Sequence, residues 1–249
     1  MRLFIRYILL MIILELVLMI VFELNPTHAI LISVISFIVF YTLHIILKSM
    51  HRQNLLNQKC DPEAFIEATL IRREEKMTGV PKSLIDLELT PGYLGLGEFE
   101  KAKDILESID VEPFKKSATI MGMYYNNLMV SLIYLGKLDE ARLIDENHIK
   151  PLDIKHKGLL ASIRMTRAEL LFHQGSYDGI KEIFEATYHN EKQLVTRLFA
   201  LYFLAKMDEI EGLIDKAKHK YEEVALKANG LWIAKEAKDK LNSLNQSIS

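Results

Sequence analysis

The chain has 249 residues, half of them hydrophobic, and 31 Lys and Arg side chains nearly balance 33 Asp and Glu, for a formal net charge of -2 at pH 7. Because nucleic-acid binding depends on a basic surface, this balance argues against a DNA or RNA partner. The single cysteine, Cys60, excludes an intrachain disulfide and is typical of a reducing compartment.

Two long apolar segments occupy the N-terminus, at about residues 3–24 and 29–47. About 20 apolar residues suffice to cross the hydrocarbon layer of a membrane. The first segment is longer than the apolar region of a cleavable signal peptide, which has about 7 to 15 residues. Residues 1–48 are therefore predicted to form a transmembrane helical hairpin that contacts the lipid bilayer.

Basic residues flank the two apolar segments and are absent from the loop between them. They are Arg2, Arg6, Lys48, Arg52 and Lys59. In short loops an excess of Lys and Arg marks the cytoplasmic side. This pattern predicts a multi-pass protein of the cell membrane with its N- and C-termini in the cytoplasm.

Glu15 is the one acidic residue deep within a predicted span. A carboxylate inside a membrane is costly, so we expect it to face protein and to be protonated or hydrogen-bonded. Equal distances from the turn place it near Ser36, and this pair is the candidate intramembrane contact. Glu15 either fixes the hairpin or a homo-oligomer, or it serves an ion path or docks on another membrane protein.

Residues 49–60 are predicted to link the anchor to a cytoplasmic domain at 61–249. Asp61, Pro62 and Glu63 suit the cap and the first turn of a helix. Apolar residues then recur at three- and four-residue spacing with no alternating, strand-like segment, which predicts an all-α fold. The segment 231–244 has the pattern of a C-terminal capping helix with a polar outer face.

Four segments of the domain resemble one another. They are Gly97-Glu-Phe-Glu-Lys-Ala102, Gly136-Lys-Leu-Asp-Glu-Ala141, Gly175-Ser-Tyr-Asp-Gly-Ile180 and Gly212-Leu-Ile-Asp-Lys-Ala217, with glycines 39, 39 and 37 residues apart. A glycine ends one helix in a left-handed turn, and the small residue lets the next helix pack closely. Nine residues after the glycines, large apolar residues recur, except that the second unit has Asp145.

This pattern resembles the tetratricopeptide repeat family, which implies an α-solenoid of about four to five helical hairpins. The spacing is longer than that family's usual period of about 34 residues. Two further positions depart from the family pattern: Pro91 is expected to interrupt one helix, and Arg167 occupies a normally apolar site.

The resemblance also implies a groove lined by the first helix of each hairpin, which binds an extended protein or peptide segment. The matching positions here are Met123, Asn126, Val130, Met165, Glu169, Phe172, Phe199, Tyr202 and Lys206. This set is apolar and aromatic, which favours an apolar or amphipathic ligand over an acidic one.

No sequence motif for catalysis, cofactors or metals stands out. Paired cysteines, His-Glu-x-x-His and glycine-rich phosphate loops are missing from the sequence. Cys60 precedes a helix start, which favours a thiolate, but no partner base is identified, and lipidation there is only a weak option. We therefore expect no enzyme, no cofactor and no metal site.

Three hypotheses for function follow from the sequence. The first is a membrane-anchored scaffold or assembly module that presents the tetratricopeptide-like groove to a protein or peptide. The alternative is an accessory subunit of a membrane complex, in which the hairpin makes the specific contact through Glu15. The third, an enzyme built from scattered carboxylates, has no positive support in the sequence.

Overall fold

The computed structural model describes residues 2–21, 23, 25–74 and 81–246. These residues form twelve α-helices and no strand, which confirms the all-α prediction. The chain divides into two compact units, Met1–Gln53 and Asn54–Ser249.

The N-terminal unit contains helix α1 (Arg2–Val21) and most of α2 (Pro26–Asn57). Asn25 caps α2 because its Oδ1 accepts the His28 N–H at 2.9 Å. Among the described residues, one helix, α2, is long and apolar enough to cross a membrane by length and composition, and the described apolar part of α1, Ile12–Val21, is shorter. Most large apolar side chains of α2 are exposed, as a lipid-facing helix requires.

Helix α2 also extends well beyond the predicted span. It continues to Asn57, so most of the predicted linker 49–60 is helical, because no Gly or Pro interrupts residues 48–57. Leu55 and Leu56 at its end belong to the hydrophobic core of the second unit. The folded domain therefore includes residues that were assigned to the linker.

The second unit contains ten α-helices among its described residues. They are α3 (Pro62–Glu74), α4 (Lys82–Leu96), α5 (Phe99–Glu107), α6 (Ala118–Tyr134), α7 (Leu138–Ile144), α8 (Lys157–His173), α9 (Ile180–Asn190), α10 (Leu194–Ile210), α11 (Ile214–Lys227) and α12 (Trp232–Gln246). Each helix of this unit packs against the next in the chain, and the even-numbered helices from α4 to α12 also contact one another in succession. The start of α3 is as predicted, since Asp61 Oδ1 accepts the Ala64 N–H at 3.0 Å.

The four aligned glycines adopt the left-handed conformation between packed helices. Gly97, Gly136, Gly175 and Gly212 have φ of 79°, 75°, 76° and 75°. In every case the residue after the glycine donates its N–H to a carbonyl five residues back, as Glu98 does to Tyr93 at 2.9 Å. This Schellman motif satisfies the last carbonyls of one helix and turns the chain into the next.

Pro91 lies inside α4 and does not interrupt it, contrary to the prediction. A proline cannot donate to the carbonyl four residues earlier, here that of Leu87. The Thr90 hydroxyl donates to that carbonyl instead, at 2.8 Å, and Asn127 Nδ2 donates to Thr90 Oγ1 at 2.8 Å. A buried side-chain relay thus replaces the missing backbone bond.

Asp145 and Arg167, the two polar residues at normally apolar positions, bind each other. Arg167 Nε and Nη2 lie 2.9 and 2.8 Å from Asp145 Oδ1. Asp145 is buried in the π-helical turn Asp145–Ile149 that follows α7. An ion pair between α8 and this turn therefore takes the place of apolar packing.

The last helix of the second unit packs against the first ones. Gly230 N–H donates to the Cys60 carbonyl at 3.0 Å, and Asn229 Nδ2 donates to the Lys59 carbonyl at 3.1 Å. A Cβ on Gly95 would lie 3.3 Å from Leu231, and one on Gly97 would lie 3.1 Å from Trp232. A helix is present over most of the segment predicted to form the capping helix, and its first turn packs beside the turn that joins α4 to α5.

Replacing Arg167 with Leu should lower the free energy of unfolding of residues 54–249 by roughly 1–3 kcal/mol, because buried Asp145 then lacks its charged partner. The double variant Asp145→Leu/Arg167→Leu should recover most of this loss, since two apolar groups can pack together. Urea unfolding of the four proteins of this cycle measures the coupling. Equal effects of the single and double variants would show that the ion pair does not hold the turn to α8.

Candidate functional site

The nine predicted groove residues lie on three neighbouring helices, α6, α8 and α10. Five of them are buried: Asn126, Met165, Glu169, Phe172 and Tyr202. The other four, Met123, Val130, Phe199 and Lys206, are partly exposed. A ligand therefore has little direct access to this set in the structure.

The structure brings some of these residues together. The Lys206 ammonium lies 5.3 Å from the ring centres of both Phe172 and Tyr202. Burial lowers the pKa of Lys206. Asn126, by contrast, donates to Ser162 Oγ at 3.2 Å. Met123 packs against a second hydrophobic cluster of the unit, which includes Met129 and Leu132.

The indole of Trp232 contacts two of the predicted groove residues, Phe199 and Tyr202. Its ring centre lies 5.1 Å from Tyr134, 5.6 Å from Tyr202, 5.8 Å from Phe99 and 5.9 Å from Phe199. These rings come from α5, α6 and α10. Each such aromatic pair stabilises the fold by more than the burial of its apolar area alone. Phe199 and Tyr202 thus contact the chain's own α12.

Two carboxyl groups, the buried Glu169 and the exposed Glu236, accept hydrogen bonds from tyrosines around this aromatic cluster. The Tyr134 hydroxyl donates to Glu169 Oε2 at 3.1 Å, and the Tyr202 hydroxyl donates to Glu236. Burial raises the pKa of Glu169 to about 7, although the bond from Tyr134 opposes the shift. Glu169 therefore changes its charge near neutral pH.

Two buried nitrogen atoms near these pairs have no hydrogen-bond partner among the described residues, the Nε1 of Trp232 and the Nε2 of His173. Burial lowers the pKa of His173, so the ring stays neutral at pH 7. In the described part of the chain, no three His, Cys, Asp or Glu side chains converge on a possible metal position.

Cys60 is buried, and its backbone has a positive φ of 51°. Burial raises the pKa of its thiol to about 11. The thiol is therefore protonated at neutral pH and is shielded from reagents, so the thiolate that its place before a helix favoured does not form.

Among the described residues, no hydrogen bond joins Glu15 to Ser36, the predicted intramembrane contact. Both residues are partly buried within the N-terminal unit. Nearby Ser33 is fully buried, and its hydroxyl has no described partner. A role for Glu15 in binding stays a prediction.

An open groove lies on the surface of the second unit. It is formed by α3, the end of α4 and the start of α5, and it measures about 370 Å³. We call it the outer groove. Its apolar lining consists of Ile66, Leu70, Ile71, Tyr93 and Leu96.

Acidic residues border the outer groove. They are Glu63, Glu67, Glu74 and Glu98. The one basic lining residue, Lys101, lies 3.1 Å from Glu98 and 4.3 Å from the centre of the Tyr93 ring. The groove therefore combines an apolar floor with a negative border.

Sequence reasoning missed both Trp232 and the outer groove. A signal for the groove was present, because Glu63, Ile66, Glu67 and Leu70 share one face of α3 at three- and four-residue spacing. The contacts of Trp232 join residues far apart in the sequence, and no local pattern indicates them.

Comparisons with known proteins found no match: no family model, no curated protein and no solved structure aligns with the chain. The resemblance to tetratricopeptide repeats therefore rests on the sequence pattern alone.

Replacing Glu169 with Gln should remove a pH-dependent part of the stability of residues 54–249. The folded pKa, about 7, exceeds the ordinary value of 4.5, so the folded state holds the proton more tightly. The stability contributed by this proton is complete at low pH and is lost as the pH rises through about 7. Between pH 5 and pH 8 the wild type should lose roughly 2–3 kcal/mol relative to Glu169→Gln.

Urea unfolding of both proteins at several pH values measures this difference. The amide retains an acceptor for the Tyr134 hydroxyl, so the two proteins should have similar stability at pH 5. Parallel stability curves from pH 5 to pH 8 would show that Glu169 is not buried as described.

Proposed function

We propose that this chain is a membrane-anchored protein-interaction module whose helical domain binds a protein or peptide partner. The observation that carries the proposal is the outer groove, an open surface of the helical domain with an apolar floor. Exposed apolar surface is costly unless a partner covers it.

The anchor of this module is a hairpin in which α1 and α2 both cross the membrane, with both termini in the cytoplasm. The exposed apolar side chains of both helices support this arrangement. The basic residues at both ends, together with a connecting loop without Lys or Arg, support the orientation.

The domain is a tetratricopeptide-like solenoid built from four helix–turn–helix units. Support comes from five side-chain hydrogen bonds that join residues 34 to 37 positions apart. They are Asn127–Thr90, Asn126–Ser162, Tyr134–Glu169, Tyr188–Glu223 and Tyr202–Glu236. Bonds at nearly constant separation are expected where each repeat contacts the next.

The partner binds the outer groove in this proposal, and the predicted groove residues support the domain from inside. Glu169, Phe172 and Tyr202 are buried, and Tyr202 lies against Trp232 of α12, so a ligand could reach Tyr202 from that side only after α12 had moved away. Moving α12 would also expose Ile233 and Ala237, which are fully buried.

A photo-reactive amino acid in the full chain, expressed in its native membrane, tests this function. Placed at Ile71 in the outer groove, which is 55% exposed, it should capture a specific protein on irradiation. The same group at Leu226, which is 82% exposed and lies outside the outer groove, is the matched control and should capture none.

Capture from neither site, or equal capture from both, would contradict the proposal. A third variant with the photo-reactive group at Glu15 addresses the alternative function. Capture from that position alone would favour an accessory subunit that contacts its complex through the membrane hairpin.

A further inference from the structure

We propose that the outer groove binds an amphipathic helix bearing Lys or Arg beside apolar residues, supplied by the cytoplasmic segment of another membrane protein. This inference rests on the proposed function and assigns the chemistry of the partner.

The floor of the groove supplies the apolar part of the contact. Leu70 and Ile71 are 37% and 55% exposed, while Ile66 and Tyr93 beneath them are buried. Helices commonly dock by placing a few apolar side chains into such a groove. The floor alone does not select a partner, because most amphipathic helices carry the same apolar groups.

The negative border supplies the selectivity. Glu63, Glu67 and Glu74 lie on one stripe of α3, and none of them forms an ion pair with a described residue. Like charges four residues apart, as at Glu63 and Glu67, destabilise a helix. A basic partner relieves this repulsion.

The single cation of the groove does not alter this balance. Lys101 is held between Glu98 and the Tyr93 ring, so its charge is already partnered. Three of the four acidic side chains of the border are left for a ligand. Opposite charges facing each other across an interface speed association and reject wrong partners.

The same charges disfavour the other occupants of an apolar groove. Anionic lipid headgroups and acidic peptides would be repelled by the border. A symmetric contact with a second copy would place two acidic borders against each other. Cytoplasmic segments beside membrane spans are, by contrast, rich in Lys and Arg, and a domain tethered to that surface meets them at high local concentration.

The test uses the full chain in nanodiscs of zwitterionic lipid, with empty nanodiscs as the blank. The probe is a fluorescent amphipathic peptide of Leu and Lys, about 14 residues long. Fluorescence anisotropy should show saturable binding that weakens as salt is added. An analogue with Glu at every Lys position should not bind.

The variant Glu63→Gln/Glu67→Gln/Glu74→Gln should bind the Lys peptide about tenfold more weakly. The control variant Glu182→Gln/Asp215→Asn/Glu222→Gln removes the same charge from exposed sites outside the groove and should bind like the wild type. Ile71→Ser, an exposed substitution that leaves the core intact, should also weaken binding.

Two results overturn the inference: equal weakening by the two triple variants, or equal binding of the Lys and Glu peptides. If the Lys peptide does not bind while the group at Ile71 still captures a protein, the assigned chemistry is wrong and the proposed function stands. If neither occurs, both are wrong.

Discussion

The contact between the first turn of α12 and the beginning of the second unit places Leu231 and Trp232 against the other helices of that unit. Gly95 and Gly97 leave room for Leu231 and Trp232, which a Cβ at either position would crowd. The indole then fills the space among α5, α6 and α10. Two of the predicted groove positions, Phe199 and Tyr202, therefore contact the chain's own α12.

Polar side-chain pairs join elements of the second unit that pack against one another. The Tyr134–Glu169 and Tyr202–Glu236 bonds join successive even-numbered helices, and the Asp145–Arg167 pair joins α8 to the preceding turn. Burying these groups is costly unless each finds its partner, so a wrong pairing of helices would be penalised. These polar pairs therefore favour the observed arrangement of helices over other arrangements, although the core is not entirely apolar.

Local features of this fold could be predicted from the sequence, and contacts between distant residues could not. A left-handed turn is a property of its own glycine, and the cap at Asp61 depends on three consecutive residues. The bond from Asn127 to Thr90, and the pairing of Asp145 with Arg167, require knowing which helices are neighbours. The predicted groove positions were assigned by analogy to the tetratricopeptide family. No local pattern in the sequence indicates that two of them, Phe199 and Tyr202, contact Trp232.

The most direct test of the account is a nuclear Overhauser measurement on the domain, residues 54–249, with its single tryptophan selectively labelled. The Trp232 indole should give cross-peaks to Phe99 and Tyr134 as well as to Phe199 and Tyr202. Cross-peaks to Phe199 and Tyr202 alone would contradict this prediction. In that case the interior would be open at α5 and α6 and free to bind a peptide.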